Sequence, residues 1–154
     1  MLRVNGLAHI QLTVSDMDRS MPFYERLLHF LDMKTIFRGP EFFYCVGSRT
    51  GVAITPAAPE FRDELFHQRR VGLHHFCFRA RSREDVDAIH GLAVELGAAI
   101  VHAPQEDARF APGYYSVLFE DPDGIRIEAS HVPGKGNLDP RVTLPLYDAF
   151  TEES

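Results

Sequence analysis

Residues 6–14 read GLAHIQLTV, and residues 72–80 read GLHHFCFRA. Gly, Leu and His coincide at an offset of 66 residues, and the apolar positions that follow coincide too. Self-similarity at a fixed distance marks two copies of one supersecondary unit. A helical pattern follows each copy. After the first, Ser15 and Asp16 offer N-cap chemistry, and MDRSMPFYERLLHFL (17–31) sets Phe23, Leu27, Leu28 and Leu31 at helical spacing. Pro22 suits only about the first turn of such a helix. After the second, Ser82 is the expected N-cap, with Asp85 completing an acidic variant of the capping box. Val86, Ile89, Leu92, Ala93 and Leu96 make the apolar stripe, and Gly97 is the natural stop.

Three strand candidates follow each helix. They are residues 33–37, 42–47 and 51–55 in the first copy, and 98–103, 114–120 and 124–130 in the second. Asp121-Pro122-Asp123-Gly124 is a tight-turn tetrad, so the last two strands form a hairpin. The unit is β-α-β-β-β, twice. The expected fold is α+β: two βαβββ modules forming a curved mixed sheet around a central cavity. Residues 1–132 are read as one domain, with modules at 1–57 and 71–132 and a connector at 58–70. In the tail, 133–154, Leu144, Leu146, Tyr147 and Phe150 are expected to pack on the domain or on a partner subunit.

Composition narrows the class. The 154 residues are 45% hydrophobic and 25% charged, which is a globular balance. A net charge of −6 argues against nucleic acid, whose phosphates call for a basic stripe. No apolar run approaches the roughly 20 residues of a membrane span. MLRVNGLAHIQ lacks a basic start and a long apolar stretch, so the expected compartment is the cytoplasm. Cys45 and Cys77 sit in apolar runs without a CxxC, and read as reduced, buried thiols.

Strand periodicity then sorts faces. In the first strand Ala8, Ile10, Leu12 and Val14 alternate with His9, Gln11 and Thr13. In the fifth, Phe76, Phe78 and Ala80 alternate with His75, Cys77 and Arg79. In the eighth, Ile125, Ile127 and Ala129 alternate with Arg126, Glu128 and Ser130. The apolar faces belong under the helices. The opposite faces carry His9, His75 and Glu128, and His9 and His75 occupy the same repeat position. Two imidazoles and one carboxylate that converge form a metal site with open positions, suited to Fe(II) and also to Mn, Co, Ni or Zn. The alternative is a wet outer sheet face that such residues merely decorate. His74 falls in phase with the apolar face and is set aside. By phase, Gln11, Cys77, Arg79, Tyr114, Ser116 and Arg126 point inward, and an inward Arg79 or Arg126 suits an anionic substrate unless an acidic neighbour pairs with it. Phe42, Phe43, Tyr44, Phe110, Tyr114 and Tyr115 make an aromatic region, with Phe43 taken as a substrate contact.

The motifs GLAHIQLTVSD followed by FYERLL, GLHHFCFRA, and YYSVLFEDPDGIRIEAS resemble the vicinal oxygen chelate superfamily. That superfamily includes glyoxalase I, extradiol dioxygenases, methylmalonyl-CoA epimerase, fosfomycin-resistance thiol transferases and bleomycin-resistance proteins. The resemblance implies metal ligation by His9, His75 and Glu128. It also implies one divalent ion, Fe2+ or Mn2+ ahead of Zn2+, Ni2+ or Co2+, and a homodimer acting on a small molecule. Alignment of Gly51-Val52 on Gly124-Ile125 puts Thr55 opposite Glu128, where glyoxalase I and the epimerase have a carboxylate. Three ligands without that fourth group look most like an extradiol dioxygenase acting on a catechol-like aromatic. A glyoxalase-like lyase or isomerase and a ligand-sequestering resistance protein are the alternatives. Extradiol enzymes place a tyrosine ten residues before the glutamate; Leu118 stands there, and Tyr114, in phase with it, is the nearest candidate. His67 is the nearest candidate for their acid/base histidine. The fosfomycin-resistance transferases carry a threonine two residues after the first histidine, where this chain has Gln11.

Overall fold

The computed structural model describes residue 4, residues 6–136 and residue 141. The tail side chains Leu144, Leu146, Tyr147 and Phe150 lie outside the described residues. The elements are β1 (His9–Val14), α1 (Met17–Phe30), β2 (Lys34–Arg38), β3 (Phe43–Gly47), β4 (Thr50–Pro56), β5 (Phe76–Arg79), α2 (Arg83–Glu95), β6 (Ala99–Glu106), β7 (Tyr115–Glu120) and β8 (Arg126–His131). A single 3-10 turn, Pro59–Phe61, is the helical turn of the connector. This is β-α-β-β-β twice, as the repeat predicts. Each copy builds its own four-stranded mixed sheet, in the orders β1-β4-β3-β2 and β5-β8-β7-β6.

The chain divides into two compact units. One runs to His67 and takes in Asp121–Ile125; the other runs from Gln68 to Glu120 and resumes at Arg126. In the first unit, Asp16 caps α1 by accepting from the backbone N–H groups of Asp18 and Arg19. Met21, Phe23, Tyr24, Leu27 and Leu28 form its buried face. Pro22 sits beyond the first turn, inside the helix. The helix tolerates it because Pro22 is on the exposed face, where the Asp18 carbonyl left without a donor meets water. β1 pairs parallel with β4, and β4 pairs antiparallel with β3. Ser48 and Arg49, both at positive φ, make the two-residue turn between β3 and β4.

The turn between β7 and β8 belongs to this first unit through two buried carboxylates. Asp121 accepts from the N–H groups of Asp123 (2.9 Å) and Ile125 (2.8 Å) and from the Tyr24 hydroxyl at 2.7 Å. Asp123 accepts from Ser15 N–H at 2.9 Å, from the Ser15 hydroxyl, and from Arg19 Nη2 at 2.7 Å. The tetrad is therefore more than a tight turn: its carboxylates are the acceptors that α1 and the end of β1 need.

In the second unit Ser82 and Asp85 form the reciprocal capping box of α2, whose face of Val86, Ile89, Leu92 and Ala93 is buried. β5 pairs parallel with β8, and β8 antiparallel with β7. β5 is shorter than the sequence predicts. Pairing begins at Phe76, so His75 precedes the strand, after a stretch bent at Gly72 (φ +144°).

Burial lifts the Asp121 carboxyl from 3.8 to about 6, against the pull of its three donors. Between those values the folded chain holds more protons at this site than the unfolded chain does. The stability this group contributes is present at pH 4 and is lost as pH rises through about 6. The stability of the wild type relative to Asp121→Asn is expected to fall by about 2–3 kcal/mol between pH 4 and pH 7 in urea titrations. A difference that stays flat across that window would contradict it.

Candidate metal centre

The second unit gathers a polar cluster on the face of its sheet opposite α2. Along β8, Ile127 and Ala129 are buried on the side covered by α2, and Glu128 and Ser130 alternate with them. Cys77 on β5 and Leu118 on β7 flank Glu128 in register. Glu128 is 9% exposed, so an ionised carboxylate there needs partners. Tyr114 supplies one: its hydroxyl donates to Oε1 at 2.6 Å. His75 supplies the other, with Nε2 at 3.1 Å from Oε2. Burial, and then the bond to Glu128, raise the Tyr114 phenol well above its ordinary range, so it stays protonated and donates.

The spacing tests whether an ion fits. Two ligands bound at 2.0–2.1 Å and at a right angle stand about 3 Å apart. His75 Nε2 and Glu128 Oε2 meet that spacing, and Tyr114 occupies the carboxylate oxygen that an ion would not need. Among the described residues, no three His, Cys, Asp or Glu side chains are gathered closely enough to hold an ion. His75 and Glu128 stand at ion-pair distance within their own unit.

In the first unit His9, Gln11 and Thr13 stand exposed along β1. The register pairs them with Gly51, Ala53 and Thr55. The Tyr44 ring lies across Gly51, where any Cβ would run into it. The register also corrects the fourth position. Gln11 and Cys77 are equivalent in the repeat; Gln11 faces Ala53 and Cys77 faces Glu128. Ala53, not Thr55, is therefore the counterpart of Glu128. Thr55 instead donates to the Glu41 carbonyl at 3.1 Å. Neither residue is a carboxylate, so the absence of a fourth acidic group stands.

The remaining expected site residues divide. Ser116 is buried opposite Ser130, on the Glu128 face. Arg79 is exposed at the end of β5, with no ion-pair partner among the described residues. Arg126 is committed to Glu120, Nε to Oε1 at 3.2 Å, which is the acidic pairing weighed against an anion role. Phe43 is in the apolar core, 1% exposed, because β3 turns Phe43 and Cys45 inward and Tyr44 outward. His67 lies exposed in the connector. Cys45 is buried and free, but Cys77 is exposed as a residue, since β5 is an edge strand and Cys77 points away from α2. Its sulfur donates to Ser130 Oγ at 3.2 Å, and burial of the thiol, with Glu128 beside it, pushes it up to about 12. His74 joins the cluster unforeseen: its Nδ1 is 2.7 Å from His75 Nδ1. Desolvation, then His75, Arg126 and Arg69, hold it below the usual histidine range.

A family model, the Glyoxalase/Bleomycin resistance protein/Dioxygenase superfamily, matches residues 6–129. The chain belongs to this superfamily. It is 30% identical to YqjT of Bacillus subtilis over 120 residues, covering 78% of this chain and 94% of that protein. It is 26% identical to the metallothiol transferase FosB of Shouchella clausii over 125 residues, covering 81% and 79%. Its fold is similar to that of a glyoxylase/bleomycin resistance protein/dioxygenase domain from Frankia, with TM-score 0.67, 28% identity, and coverage of 84% and 98%. The superfamily includes metalloenzymes, and the doubled βαβββ order is its fold. No helix among the described residues is long and apolar enough to cross a membrane.

Tyr114→Phe removes a donor from a buried carboxylate. Urea unfolding at pH 7 is expected to show a loss of about 1–2 kcal/mol. Unchanged stability would mean that the hydroxyl does not hold Glu128.

Proposed function

We propose that this chain is a divalent-metal-dependent enzyme acting on a small molecule that presents two neighbouring oxygens. Extradiol-type cleavage of a catechol-like aromatic is the leading reaction. The reading is carried by Glu128, a buried carboxylate on a central strand, held at one oxygen by Tyr114 and faced at the other by His75. His9 joins the set as the repeat counterpart of His75. Ala53 and Thr55, where a fourth carboxylate would act as ligand or base, count against glyoxalase-type proton transfer.

His9, His75 and Glu128 would hold the ion, Fe2+ or Mn2+ first. The ion supplies Lewis acidity and open positions for vicinal oxygens. Tyr114 keeps its proton on the Glu128 Oε1 side, which fixes the plane of the carboxylate and leaves Oε2 for ligation. Arg79, exposed on the face that carries Ser130, attracts an anionic substituent on the ring. Gln11 and Ser116 offer further polar contacts. A homodimer in the cytoplasm is the setting we propose.

Thiol transfer is the second reading, favoured by the likeness to FosB. Gln11 speaks against it, since it stands where those transferases resemble one another in a threonine.

The deciding assay is elemental analysis of anaerobically reconstituted protein, followed by oxygen uptake with catechol. The wild type is expected to hold one ion per chain, which His9→Ala and Glu128→Ala each lose, and to consume oxygen while forming a yellow ring-fission product. Thiol consumption without oxygen uptake would replace the leading reaction with the second. A chain that binds no ion after reconstitution would end the metalloenzyme reading.

A further inference from the structure

The first unit carries a row of rings on the face of its sheet away from α1. Phe37 on β2, Phe42 just before β3 and Tyr44 on β3 stand with successive centroids 5.7 and 6.0 Å apart, tilted by 50° and 32°. Phe43, between the last two, turns into the core.

Phe37 joins the row through a bulge. Thr35 pairs with the buried Cys45, and its hydroxyl meets His29 of α1 at 2.8 Å, so Thr35 lies on the helix side. Strand alternation would send Phe37, two residues on, to that same side. The register shifts between them, Ile36 becomes the extra residue, and Phe37 pairs with Tyr44 on the opposite face. A large apolar side chain is thereby left 52% exposed. Bulges that re-aim a side chain in this way are frequent beside functional sites. Two glycines make room for the rings. A Cβ at Gly51 would collide with the Tyr44 hydroxyl, and one at Gly39 would press on the edge of Phe37 at 3.0 Å.

The same face sets polar groups beside the rings. The register places His9 against Gly51, and Ala53 between Gln11 and Tyr44. Across the sheet the face runs from polar β1, over the small Gly51 and Ala53 of β4, to the rings of β3 and β2. A low floor between a wall of rings and a polar edge suits a flat ligand with oxygens along one side.

We propose that Phe37, Phe42 and Tyr44 form a stacking subsite for the planar ring of the substrate, whose oxygens point to His9 and Gln11, and that this row selects an aromatic diol over a saturated one. The inference rests on the proposed aromatic substrate and needs no bound ion.

The test is an anaerobic titration of the 15N-labelled, chelator-treated full chain with catechol and with cis-cyclohexane-1,2-diol, two vicinal diols that differ in the flat ring. Catechol is expected to bind roughly three- to tenfold more tightly and to shift the amide signals of Phe37, Phe42 and Tyr44. Phe37→Leu and Phe42→Leu, apolar replacements at positions that water reaches, are each expected to lower that preference about twofold or more. Phe61→Leu, at an exposed ring of the connector, is expected to keep it. Equal binding of the two diols, a preference that survives both substitutions, or catechol shifts confined to the second unit would overturn the inference. So would a dimer that Phe37→Leu dissociates while the preference persists, which would make the row a contact between copies. A chain that binds catechol along this row but takes up no ion on reconstitution would end the metalloenzyme reading and still support the subsite.

Discussion

Each unit depends on one pairing: its last strand lies parallel to its first. β4 runs beside β1, and β8 runs beside β5. The other strands add outward from there, so β4 and β8 become interior strands with neighbours on both edges. Ile127 is enclosed under α2, while Glu128, on the opposite face, is met by Tyr114 and His75. The same pairing brings Cys77 level with Glu128 and delivers His75, just ahead of β5, to the carboxylate. Without the parallel register, His75 would not reach Glu128.

Buried charge is managed in two distinct ways. Asp121 and Asp123 are nearly covered, and their oxygens are satisfied by backbone N–H groups, hydroxyls and one arginine. That is the chemistry of a structural carboxylate, whose acceptors are used up. Glu128 is somewhat less enclosed, and its Oε2 faces an imidazole nitrogen, a group that can donate or accept.

Much of this was legible in the sequence. The repeated GLxH segments, the capping residues Asp16 and Ser82, and the helical stripes gave each element its place, because local patterns follow local physics. What failed depended on register. Aligning the glycines before the last strands placed Thr55 against Glu128, yet the turns before those strands differ: Ser48 and Arg49 in one unit, Asp121–Ile125 in the other. A change in turn length slides the alignment while leaving the pairing intact, so Ala53 is the true counterpart. Phe43 lies one residue out of phase from the outward Tyr44, and an aromatic run of three gives no signal of which ring turns in. His74 was discounted by strand alternation in a stretch that is not yet strand. The exchange of the Asp121–Ile125 turn into the first unit has no signature in periodicity, since it rests on side-chain bonds between residues about a hundred positions apart.

The proposed ligation of one ion by His9, His75 and Glu128 is open to a direct test. X-ray absorption at the metal edge of zinc-loaded protein reads the ligand set directly. The account predicts two imidazole rings and one carboxylate at bond lengths of about 2.0–2.2 Å, with one imidazole lost in His9→Ala and one in His75→Ala. A spectrum without imidazole scattering, or one that both substitutions leave unchanged, would contradict it.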